Sequence, residues 1–122
     1  MGKGRPMSKK LVVNDAAFSF AQQLIKQGRV NKDRDNWMAN EPTPESEDLF
    51  LADHSFDEYG RWFLAIDEAA SEDTKDRYEF PIGNFHEIFR SGVLAAEKRA
   101  GQYKHEEIED AAKALLSLID KA

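Results

Sequence analysis

Cysteine is absent from the 122 residues, which excludes disulfide bonds, thiolate zinc or iron–sulfur ligation and a cysteine nucleophile. Proline occurs four times and glycine seven. The glycines are scattered as turn and cap residues, so no GxGxxG, Walker loop or GxSxG elbow is present, and nucleotide binding and serine-hydrolase chemistry have no support. No apolar run approaches the roughly 18 residues needed to span a bilayer, and the N-terminus lacks the hydrophobic stretch of a signal peptide. The chain therefore reads as a soluble, cytoplasmic protein with no membrane partner. Positive charge is missing from one region: residues 41–58 carry seven acids and neither Lys nor Arg.

What is present suits one compact domain. Hydrophobic residues make up 41% and charged residues 33%, and a chain of this length buries roughly two thirds of its unfolded surface, enough for a core without covalent staples. The net charge is -6, yet residues 1–10 hold four cations and no acid, which leaves -10 on the other 112 residues. An acidic body repels phosphates, so nucleic acid is disfavoured as a partner except through the basic tail. The tail itself reads as a flexible, solubilising leader. The expected organisation is a flexible basic tail over 1–13 and a single globular domain over 14–122.

Helical periodicity dominates. Asn14 and Asp15 suit an N-cap and first turn, Ala17, Phe18, Ala21, Leu24 and Ile25 recur at helical spacing, and Gly28 supplies a left-handed stop, so a helix is predicted over 15–27. Residues 30–44 read as a polar loop anchored by Trp37 and Met38. Thr43 and Pro44 open a short helix to about residue 52, with Leu49, Phe50 and Leu51 as its expected buried face. The runs 61–66 and 78–82 suit two antiparallel strands, the second an edge strand because Pro81 cannot donate to a ladder. Phe85, Ile88 and Phe89 fit a short helical turn. Ser91 is placed to cap a helix over 92–103 that carries Val93, Ala96, Ala100 and Tyr103 on one stripe. Ile108, Ala111, Ala112, Leu115, Leu118 and Ile119 mark the clearest helix of all. The fold class is α+β and mostly helical, four or five helices packed with a short antiparallel hairpin. The expected core holds Phe18, Leu24, Ile25, Phe63, Ile66, Ile108, Leu115 and Ile119.

Few residues point to chemistry. His54, His86 and His105 are not spaced as zinc ligands, and surface or capping roles are the simple reading. His86 follows a Gly-Asn turn and is the one candidate for acid/base work beside a carboxylate. The oxygen-bearing run Asn31, Asp33, Asp35 begins like a calcium loop, but Asn36 and Pro42 stand where glycine and a bidentate Glu are needed, so no metal or other cofactor is expected. The acidic run 41–58 is either a solvated face or a docking surface for a basic partner. Aromatic residues cluster between 56 and 90, and any that are exposed mark a contact site. The candidate interaction surface is Trp37, Trp62, Tyr78, Phe80, His86, Glu45, Glu47 and Asp48.

The strings Asp57-Glu58-Tyr59-Gly60-Arg61-Trp62, Arg77-Tyr78-Glu79-Phe80-Pro81-Ile82-Gly83-Asn84-Phe85 and Ala95-Ala96-Glu97-Lys98-Arg99-Ala100 resemble a family of short bacterial proteins of unknown function, over residues 14–120. Residues 78–84 and 92–96 are also similar to segments that accompany phage prohead-protease-like proteins. Neither resemblance implies a catalytic residue here. The expected function is an acidic protein-interaction domain that meets a protein partner or a second copy. The alternatives are an enzyme using His86 and a nucleic-acid-associated protein acting through its tail.

Overall fold

The computed structural model describes residues 10–122. It is a mostly helical α+β fold in which a small antiparallel sheet is packed by helices. The sheet has three strands where the sequence suggests two. β1 (Leu11–Val13) and β4 (Tyr78–Pro81) flank a central β3 (Phe63–Asp67). Val12 pairs with Ile66 on one side of β3, and Ala65 pairs with Glu79 on the other. The tail expected over 1–13 therefore ends earlier, because Leu11 and Val13 are half-buried in the sheet. Three residues are too few to show a strand period. Residues 1–9 of that tail lie outside the described residues. β4 is an edge strand, as Pro81 requires.

α1 (Asp15–Lys26) starts at Asn14, whose side chain accepts from the Ala17 amide and donates to the carbonyls of Gly60 and Phe63. One buried Asn thus caps the helix and fastens the start of β3. Gly28, at φ +79°, ends the segment in the left-handed region that glycine enters freely. β2 (Val30–Asn31) and α2 (Trp37–Asn40) follow within what reads as a loop in sequence. β2 runs parallel to β5 (Ile88–Phe89), so Ile88 and Phe89 form a buried strand pair in place of a helical turn. The intervening segment turns back on itself: Asn84 Oδ1 accepts from the amides of His86 and Glu87, and Phe85 sits at φ +73°.

α5 (Arg90–Gln102) starts slightly earlier than expected, and Ser91 does not cap it. Its hydroxyl instead donates to Asn36 at 2.7 Å. Tyr103 falls past the end of the helix and is exposed. α6 (Glu106–Lys121) packs along α5 and against α1, β1 and β3. Its fully buried Ile108, Leu115 and Ile119 each contribute about 2 kcal/mol of apolar burial. Leu24, Ile25, Phe63 and Val93 complete the centre. Phe18 and Ile66, expected in the core, are only half-buried. Ile66 lies near the end of β3 and faces a polar cleft that also holds Asn14, Arg61 and Arg77.

Candidate protein-contact surfaces

The acidic run folds into two consecutive helices, α3 (Pro44–Asp53) and α4 (Phe56–Gly60). Each begins with a capping box. Thr43 Oγ1 accepts from the Ser46 amide while Ser46 Oγ accepts from the Thr43 amide, and Ser55 and Glu58 make the same exchange. The Ser55 amide, donating to the Glu58 carboxylate, holds that carboxyl below its ordinary range. Glu45 and Glu47 occupy the first turn of α3, where the helix dipole favours anions. Local chemistry thus favours a helix in this acidic segment.

Packing explains much less, since no residue of α3 is fully buried. Its inner side carries Phe50, which stacks on Phe85 with ring centroids 4.6 Å apart, and on His54 at 3.9 Å. Glu47 also faces inward and accepts a hydrogen bond from Tyr59. Burial, reinforced by the Glu47 charge, pushes the Tyr59 hydroxyl well above the ordinary phenol range. Lys75 reaches across from the connection before β4 to Asp48 at 2.6 Å and Glu47 at 3.5 Å. The hydrogen bond from Lys75 to Asp48 raises the Lys75 pKa.

The outer side of α3 is different. Glu45, Leu49 and Asp53 recur every four residues and so share one side of the helix. All three are exposed, Leu49 by 74%. The sequence places Leu49 in a buried face beside Phe50 and Leu51. Of the three, only Phe50 and Leu51 pack against the core, while Leu49 is turned to solvent.

A groove of about 860 Å³ lies elsewhere, between the 32–38 segment, the start of α5 and the end of α6. Trp37 forms part of its wall. The ring packs on Gly92 so closely that a Cβ there would come within 2.8 Å of it. It is also tilted against Phe89, with centroids 5.7 Å apart. The contacts from Ser91 to Asn36 and from Asn36 to Asn31 hold this segment against α5. Met38, 91% exposed, stands at the groove edge near Leu94 and Ala95. Arg90 is engaged with Asp120 through two contacts of 2.8 and 3.2 Å, and the Lys32 ammonium donates to the Ala122 carbonyl. Arg34 and Lys98, also in the lining, form no ion pair among the described residues.

The residues singled out from sequence are thereby dispersed. Trp62 and Phe80 are buried, at 4% and 8% exposure, and cannot present a surface. Trp62 packs edge-on against Phe20 and Phe85. Tyr78 is half-buried, its ring against Gly60 and Tyr59, and burial raises its hydroxyl pKa. Glu45, Glu47 and Asp48 stay together on α3, while Trp37 belongs to the groove. His86 is exposed, its carbonyl accepting from Arg29 at 2.6 Å, and it lines neither the groove nor the cleft beside Ile66.

The exposed Leu49 and Met38 and the groove-lining Arg34 and Lys98 were not among the candidate surface residues read from the sequence. Leu49 was legible in principle from its spacing to Glu45 and Asp53. The groove was not, because it joins segments more than 50 residues apart. Among the described residues no group of three or more His, Asp or Glu side chains is placed to hold a metal ion, and no helix is long and apolar enough to cross a membrane. No family model, no curated protein and no solved structure matches this chain.

Proposed function

We propose that this domain is a protein-interaction module, acting in the bacterial cytoplasm without chemistry of its own, and that α3 is its contact element. The observation that carries this reading is the outward stripe Glu45, Leu49 and Asp53, on a helix built by its caps and tethers with no fully buried residue. A leucine held in water between carboxylates suits the anchor of a helix that lies in a groove. The flanking acids then set orientation and speed of encounter with a cationic rim. The contacted surface should therefore combine an apolar floor with Lys or Arg at its edge.

The test is site-specific photocrosslinking in the cell of origin, with a benzophenone amino acid at position 49 and, as control, at the exposed Lys113 on α6. A discrete adduct at 49, weakened by raising salt and missing at 113, is the expected result. No adduct at 49, or identical patterns at both positions, removes α3 as the contact element.

A further inference from the structure

We infer that the groove beside Trp37 receives the α3 stripe of a second copy of this chain. This inference rests on the reading of α3 given above and names its partner. The chemistry α3 requires is present on the molecule itself. The groove offers apolar lining from Leu94 and Ala95, with Met38 exposed at its edge, and the cations of Lys32, Arg34 and Lys98 belong to the same lining. Asp33 and Asp35 share that lining, yet cations outnumber acids four to three. Three further concavities of the surface are lined by more acids than Lys and Arg, and residues 11–122 together carry -10. An acidic helix therefore meets less repulsion in this groove than in those clefts. Arg34 and Lys98, which have no ion partner of their own among the described residues, supply the charges that Glu45 and Asp53 lack.

Only Glu41, Pro42 and Thr43 separate α2 from the start of α3, so groove edge and stripe are neighbours on the chain. Two copies that exchange α3 helices reciprocally about a twofold axis form a closed pair, and the association stops at a dimer. A single short helix offers each groove a small contact, and small interfaces belong to the weak, transient class. The dimer should accordingly be weak, salt-sensitive and concentration-dependent.

Sedimentation velocity of the purified full chain, from about 5 to 500 µM at low and high salt, reads this directly, because these concentrations bracket a dissociation constant in the micromolar range. A monomer–dimer equilibrium is expected, weakened about tenfold or more by salt. Leu49→Asp should abolish it while circular dichroism stays unchanged, since the side chain is exposed. Reversing the groove (Arg34→Glu with Lys98→Glu) or the stripe (Glu45→Lys with Asp53→Lys) should leave each protein monomeric, and mixing the two should restore a heterodimer. A chain that stays monomeric at every concentration overturns the inference, as does a dimer indifferent to Leu49→Asp or a mixture that fails to associate. A monomer that still yields a crosslink at position 49 to a different protein overturns self-docking alone and leaves α3 as the contact element.

Discussion

α3 and α6 begin alike and end up doing opposite things. Each has two or more acids in its first turn, and each starts where the helix dipole stabilises them. α6 then places Ile108, Ala112, Leu115 and Ile119 on one fully buried stripe. α3 turns Leu49 outward between two acids and keeps only Phe50 and Leu51 against the body. Similar local chemistry thus yields one helix held by its core and another held by caps, a lysine tether, a hydrogen bond from Tyr59 to Glu47 and the packing of Phe50 and Leu51. The stripe that the fold does not use on α3 is the part available to a partner.

The sharpest way to break this comparison is to shorten a leucine in each helix. Leu115→Ala should cost about 2–5 kcal/mol, since it opens a cavity at a fully buried position. Leu49→Ala should change stability by no more than about 0.5 kcal/mol, because its side chain is already in water. Urea denaturation followed by circular dichroism measures both. Comparable losses would show that α3 is held by its apolar stripe after all.

A smaller effect sharpens the same contrast. Thr43→Ala removes the hydroxyl that accepts from Ser46, a loss of about 1 kcal/mol at a helix start. Because few contacts hold α3, that loss should stay local. Amide hydrogen exchange should speed up within α3, whereas the amides of α6 and the melting temperature remain nearly unchanged. Equal acceleration in both helices would mean that α3 opens only with the whole domain.

Much of the fold was legible from residue order. The α6 stripe, the Asn14 cap, the stop at Gly28 and the edge position of Pro81 each follow from a local rule that the structure obeys. The misreadings share a different cause. Leu11–Val13 becomes a strand only because β3 is beside it, and Ile88–Phe89 only because β2 is. Ser91 looks like a cap until Asn36, 55 residues away, takes its hydroxyl. The aromatic cluster between 56 and 90 is visible in sequence, but that it is core cannot be told there: all its members are buried or half-buried, Trp62 and Phe80 among them. The groove depends wholly on such distant pairings, whereas the acidic face of α3 was written in a single segment.

The smallest expected effect lies where α6 meets the groove. Arg90 donates from Nε and Nη2 to the two Asp120 carboxylate oxygens, joining the start of α5 to the last turn of α6. That pairing holds the Asp120 carboxyl below its ordinary value of 3.8. A carboxyl with a lowered folded pKa adds stability that is complete above its unfolded value and is lost as pH falls through the folded one. The wild-type chain and Asp120→Asn should therefore differ by a small, constant amount in melting temperature at neutral pH. The difference should shrink below about pH 4 and vanish once Asp120 is protonated in both states. Because the carboxylate is exposed, moderate salt should reduce the neutral-pH difference as well. An unchanged gap at low pH would mean that the substituted amide disturbs the helix end by its shape, and that the charge pair contributes nothing to the junction.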